Sequence, residues 1–186
     1  TYWPNGGLSL AGPLLMDTHV SERKREMRLL TLLNAVDAIT GIGVDETSAV
    51  MLRFNKSTIE VEALGMSGAW WMMKPTRHPG NNSYHVQAHY LAPGRVLQWR
   101  QDHWQNTAIK NFTIEATGET ELTDAISGKG LREAVWNMAR LHQACTELTA
   151  GDYRVLIRPS PESRYWQGPD GQQGITDLKV DVSEEQ

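Results

Sequence analysis

Asp17, His19, Arg23, Arg25 and Arg28 lie together in the stretch MDTHVSERKREMRLL, residues 16–30. A second group follows in GIGVDETSAV, where two glycines precede Asp45 and Glu46. A histidine used as a general base needs an acid to orient its ring and steady the imidazolium. An acid delivered by a Gly-rich turn between helix and strand suits that role, because such turns gather at one rim of an α/β sheet. Arginines at the same rim would offer forked, permanently charged donors to a substrate carboxylate. The same residues also fit a capped amphipathic helix with a solvated basic face. Spacing alone leaves both readings open.

The elements that would position these groups can be read from periodicity. Ser21 is a candidate N-cap, and Met27, Leu30 and Leu33 with Leu29, Leu32 and Val36 repeat at helical spacing. Gly41 is placed to stop that helix. Residues 48–54 and 58–64 have strand character around a tight turn at Asn55-Lys56-Ser57, and AWWMM (69–73) is a further apolar strand or buried run. Residues 74–94 are rich in Pro, Gly and Asn and suggest a long loop or a boundary. Strands are expected again at 95–99, 108–116, 153–159 and 175–182. Between them, Leu131, Val135, Met138, Leu141, Cys145 and Leu148 form one helical stripe. No internal repeat or low-complexity tract stands out. A helix followed by strands in mixed order points to an α/β protein.

Composition narrows the function classes. The chain has 186 residues, 40% apolar and 22% charged, which suits one good core and an appendage. A net charge of −4 argues against a nucleic-acid partner. No apolar run approaches the ~18 residues of a membrane-spanning helix. The single cysteine, Cys145, forbids an internal disulfide and leaves the redox compartment open.

The segment DTHVSERKREMRLL followed by GIGVDETSAVML resembles the cyanophycinase-like serine peptidases, relatives of dipeptidase E. Their pattern runs D-Q-H-F-x-x-R-x-R-x-x-R and then G-I-G-I-D-E-x-T-A. The resemblance spans roughly residues 8 to 70, and the Asp, the His, all three arginines and the His-to-acid interval are in register. It implies a three-layer α/β sandwich similar to class I glutamine amidotransferase domains, with its second half at residues 1–74 and a C-terminal extension at 75–186. By the same resemblance His19 is the general base and Glu46 its orienting acid. Arg23 and Arg28, with Asp17 and Thr18, line a pocket for an aspartyl carboxylate. Thr18 stands where the family commonly has Gln, which bears on fine specificity. Val20 replaces Phe, a change expected to affect packing alone. The implied reaction is acyl transfer on aspartyl or β-aspartyl peptides such as cyanophycin, with neither metal nor organic cofactor.

The family's nucleophile is a serine in a G-x-S-A-G elbow upstream of the histidine, and no such motif precedes His19 here. Ser9 and Ser67 sit in partial look-alikes at the wrong places, one in a loop and one after the acid. The chain opens at Thr1 without an initiator Met. The expectation is therefore a processed, two-chain enzyme whose upstream chain carries the serine, with such pairs able to form a homodimer. Two alternatives stand beside it: an inactive homologue that binds acidic peptides, and an amidohydrolase using Thr1 as an N-terminal nucleophile. The extension after Lys74 resembles that of the larger, exported family members more than the compact cytoplasmic ones. Other features carry plain structural readings. His85 and His89 lack a third ligand at metal spacing. His142 suits a satisfied, partly buried histidine, and the tryptophans suit a core or, alternatively, a carbohydrate platform. NFT at 111–113 is a glycosylation acceptor only in a glycosylating compartment, and the acidic tail DVSEEQ suits a solvated end.

Overall fold

The structure, a computed structural model, describes residues 12, 14–36, 38–56, 58–78, 82–100, 103–106, 120–124, 130–141, 143–167 and 171–184. Strand β1 (Leu14–Thr18), helix α1 (Glu26–Ala35) and strand β2 (Thr40–Val44) open it. Five strands follow: β3 (Ser48–Asn55), β4 (Thr58–Gly65), β5 (Ala69–Met73), β6 (Thr76–Arg77) and β7 (Tyr84–Leu91). Next come β8 (Val96–Arg100), β9 (His103–Asn106) and β10 (Thr120–Asp124). Helix α2 (Leu131–Arg140) and strands β11 (Cys145–Ala150), β12 (Tyr153–Gln167) and β13 (Gln173–Glu184) complete the order.

These elements make three layers. The central nine-stranded sheet runs β1-β2-β5-β7-β13-β12-β11-β10, with β6 paired to β7. Its two edge pairs, β1/β2 and β10/β11, are parallel, and each is joined through a helix as a parallel pair requires. Both helices pack on one face, where Leu29, Leu30 and Leu33 of α1 join Leu131, Val135 and Met138 of α2 over Trp70, Val86, Tyr90 and Val180. The second sheet, β3-β4-β8-β9, packs on the other face, burying Ile42, Val44, Trp71 and Leu91 against Val61, Ala63 and Leu97. The protein is thus a strand-rich α/β fold with two helices among the described residues.

Strand β5 shows why this arrangement is readable. Trp70 and Met72 point into the helix-side core, while Ala69, Trp71 and Met73 point into the core under the small sheet. A strand covered on both faces is apolar throughout. Strand β2 solves a tighter problem with its T-G-I-G-V sequence. Ile42 and Val44 fill the small-sheet side, and the two glycines lie under α1. A Cβ on Gly43 would come within 2.9 Å of Val20, and one on Gly41 within 3.2 Å of Leu29. These glycines therefore serve close helix–sheet approach, and the expected helix stop at Gly41 is corrected: α1 ends at Ala35.

Other expectations shift for identifiable reasons. Residues 74–94 are not a long loop, since β7 is an inner strand bonded to both β5 and β13. The expected division near residue 74 consequently falls between two strands of one sheet. The stripe through Cys145 and Leu148 is split, because the helix stops at Arg140 and those two residues lie on β11. Apolar residues spaced for a helix also satisfied a short helix followed by an alternating strand. The backbone contains a repetition that the sequence conceals: strand, ten-residue helix, parallel strand and antiparallel hairpin occur as β1–α1–β2–β3–β4 and again as β10–α2–β11–β12–β13. The expected strand at 108–116, together with Thr1, Ser9 and His142, lies outside the described residues.

Candidate catalytic dyad at the sheet rim

Parallel pairing sets Thr18 opposite Val44, so the segments leaving β1 and β2 emerge side by side at the carboxyl rim of the sheet. His19 is the first residue beyond β1, and Glu46 follows β2 by one residue, Asp45. Their side chains meet: His19 Nδ1 lies 2.9 Å from Glu46 Oε1. Opposite an ionised carboxylate Nδ1 is the donor, and in the neutral ring Nε2 is then the acceptor. Nε2 carries no hydrogen bond to any described residue. The two side chains are 43% and 47% exposed, which leaves the pair open to an incoming group.

The backbone around the dyad is held in uncommon conformations. His19 has φ 54°, and Thr47, next to Glu46, has φ 58°. Left-handed backbone at such residues costs roughly 1–3 kcal/mol and persists where surrounding contacts over-determine it. Those contacts are present. Beyond His19, Val20 N–H reaches Val44 O, Arg23 N–H donates to His19 O, and Arg25 N–H donates to Val20 O at 2.7 Å. On the other turn, Asp45 N–H donates to Gly68 O and Met66 N–H to Thr47 O. Ser48 Oγ accepts the N–H groups of Ser67 and Gly68. That is where the structure leaves Ser67: in the β4–β5 turn, with no hydrogen bond to His19.

Each remaining candidate has a definite place. The Asp17 carboxylate is gripped by both Nε and Nη2 of Arg28, so the Arg28 fork is already filled by a carboxylate of the chain itself. Asp17 Oδ1 also accepts Thr18 N–H at 2.8 Å. Arg25 reaches Thr18 O at 3.3 Å. Arg23 is exposed, and its guanidinium meets no partner among the described residues. Val20 is fully buried against Gly43 and the α1 core, as a packing residue. Ser21 is not a helix cap: α1 begins at Glu26, and Ser21 Oγ accepts the indole N–H of Trp70 at 3.1 Å.

Behind the dyad lies an ionic cluster centred on the buried Asp45, whose other members Arg132, Tyr90 and Glu22 the sequence did not single out. The Asp45 carboxylate accepts Ser21 N–H at 3.0 Å, Tyr90 O–H at 2.7 Å and Arg132 Nη1 at 2.6 Å. The same Arg132 nitrogen donates to Glu22 Oε1 at 3.0 Å, while Glu22 Oε2 accepts the backbone N–H of Glu46 at 3.0 Å. Burial would raise the Glu22 pKa, but the Glu46 N–H and Arg132 outweigh it and lower the pKa. Burial would likewise lower the Arg132 pKa, and Tyr90, Asp45 and Glu22 around it raise it instead. One sequence signal pointed here. Arg132 occupies the first turn of α2, where the helix dipole disfavours a cation unless carboxylates face it.

Glu26 adds a titrating group to this cluster. It is buried at the start of α1, and its Oε1 lies 3.4 Å from the Arg132 N–H in the first turn of α2. Burial pushes its pKa up to about 7, with the Arg132 N–H and charge opposing. Between its ordinary value of 4.5 and about 7, the native state holds a proton that the unfolded chain has released. Stability from this group is therefore complete below pH 4.5 and is lost as the pH rises through 7. The shift corresponds to a loss on the order of 3 kcal/mol. Glu26→Gln should flatten that part of the stability profile and leave the variant more stable than wild type at pH 8. Denaturant unfolding from pH 4 to 8 checks this, and parallel profiles for the two proteins would refute it.

The two strand histidines have structural partners. His85 Nδ1 lies 3.0 Å from Asp181 Oδ1, whose other oxygen is bound by Arg158. His89 is fully buried and accepts Asp177 N–H on Nδ1 at 3.1 Å, and burial pushes its pKa down to about 4. No group of three His, Cys, Asp or Glu among the described residues is arranged to hold a metal ion. Trp70 and Trp71 are core residues, and Trp166 lies beneath the Arg95 guanidinium at 3.8 Å. No described helix is long and apolar enough to cross a membrane. A scan against protein-family models finds no match, and no solved structure matches the chain significantly.

Proposed function

We propose that this chain supplies the base, the acid and a cationic substrate contact of a serine-type peptidase acting on aspartyl or β-aspartyl peptides. The single observation behind this reading is the 2.9 Å contact between His19 Nδ1 and Glu46 Oε1, in a ring whose Nε2 has no hydrogen bond to a described residue. In the proposed reaction, Nε2 takes the proton of a serine hydroxyl as its oxygen attacks the scissile carbonyl. Glu46 stabilises the resulting imidazolium, which then protonates the leaving amine. The serine is proposed to lie outside residues 1–186, with backbone amides beside it holding the oxyanion. On the same resemblance, we propose that β1–α1–β2 belongs to a sandwich of the class I glutamine amidotransferase type.

Arg23, exposed and without a partner among the described residues, is the better-placed donor for a substrate carboxylate. Arg28, closed on Asp17, would shape the pocket wall. Arg23→Ala should raise KM roughly tenfold and leave kcat nearly unchanged, as loss of uniform binding does. An unchanged KM would remove Arg23 from the pocket.

A serine-directed fluorophosphonate probe followed by mass spectrometry tests the central reading on protein purified with its accompanying polypeptides. The expected adduct lies on a serine outside residues 1–186 and disappears in His19→Ala. Absence of an adduct together with no hydrolysis of a β-aspartyl-arginine dipeptide would support an acidic-peptide-binding homologue instead. Dipeptide hydrolysis that survives loss of the serine and fails in Thr1→Ala would support the amidohydrolase.

A further inference from the structure

We infer that Arg132, from the second half of the chain, is a positioning residue for the His19–Glu46 pair. The inference rests on the reading of that pair as base and acid. Glu46 is exposed and projects from a turn with left-handed backbone at its neighbour, so side-chain packing does little to hold it. Its main chain is fixed from two sides. On one side the N–H of Glu46 is bound by Glu22 Oε2, and Glu22 is anchored through Oε1 to Arg132 Nη1. On the other, Asp45, directly before Glu46, is anchored to the same Nη1 atom. One guanidinium nitrogen thus bridges the loop that follows His19 and the turn that carries Glu46.

Arg132 is itself well fixed. Its backbone N–H faces Glu26, and its guanidinium lies 5.1 Å from the Trp136 ring centroid. The Asp45 side chain is fully buried and that of Arg132 is 22% exposed, so this ion pair acts in a medium of lower dielectric than the dyad's. Loss of Arg132 frees Glu22 to leave the Glu46 N–H. It also leaves Asp45 with Ser21 and Tyr90 alone. The turn then loses the register that keeps Oε1 opposite Nδ1. Because both contacts use one nitrogen, a lysine ammonium can reproduce part of the bridge.

Nitrogen NMR of the His19 imidazole on the full chain at pH 8 tests this without turnover. It reads the fraction of neutral ring protonated on Nδ1. Wild type should be mainly the Nδ1–H tautomer, and Glu46→Ala should lose that preference. Arg132→Met and Glu22→Ala should each lower the Nδ1–H fraction at least twofold, with Arg132→Lys restoring most of it. Glu22→Ala leaves the Asp45–Arg132 pair intact, so it decides the matter if Arg132→Met fails to fold. Folded Arg132→Met or Glu22→Ala protein with a wild-type Nδ1–H fraction would overturn the inference. A wild-type chain lacking the Nδ1–H preference would overturn the dyad geometry on which it depends. Failure of the peptidase reading would appear separately, as absent hydrolysis with the tautomer pattern retained.

Discussion

His19→Ala is expected to reduce turnover of an aspartyl peptide roughly a thousandfold or more, in the assembly that contains the serine, while the fold persists. A positioned general base contributes about 10²–10⁴ in rate, and the upper part applies when the same ring also protonates the leaving group. The fold should survive because His19 is half-exposed and its ring hydrogen-bonds to Glu46 alone among the described residues. The residue's φ of 54° makes alanine mildly strained, by about 1–2 kcal/mol. His19→Asn tolerates that backbone better and should show the same loss of turnover. Steady-state kinetics beside thermal unfolding check the pair of claims. Near-wild-type kcat in either folded variant would remove His19 from the chemistry.

The second large effect is on stability. Asp45→Ala should cost about 3–5 kcal/mol, the range for breaking a buried ion pair by removing one partner. Asp45 gathers a backbone N–H from the β1–α1 loop, the Tyr90 hydroxyl from β7 and the Arg132 guanidinium from α2. Tyr90 in turn packs edge-on against Trp70 and Trp136, at centroid distances of 5.1 and 5.7 Å. Removing the carboxylate therefore strips three donors at a point where the two halves of the chain join. Denaturant unfolding should show a lower midpoint with an unchanged slope. A loss below about 1 kcal/mol would mean that the Arg132–Asp45 pair contributes little beyond its own desolvation.

These predictions draw on unequal amounts of sequence information. Strands β3, β4, β5, β8, β12 and β13 were legible because alternation or continuous apolarity marks a strand locally. The pairing of His19 with Glu46 was legible only through the resemblance, because spacing alone left a solvated basic helix equally open; the contact itself, at 2.9 Å, comes from the structure. Strand β7 was not legible, because its flanking Pro, Gly and Asn mimic a loop and its outer face carries His85 and Gln87. Those polar groups are satisfied across the sheet by Asp181 and Asp177, acids far along the chain.

What the sequence by itself determined is local: which segments alternate, and which ionisable groups gather at residues 17–28 and 45–46. The tertiary structure alone decided that Arg28 closes on Asp17 while Arg23 stays open. It alone brought Arg132 to Glu22 and Asp45 across 110 and 87 positions. The reason is physical. A strand or helix pattern is written in neighbours a few residues apart, whereas the partner of a buried charge depends on which elements the hydrophobic cores press together.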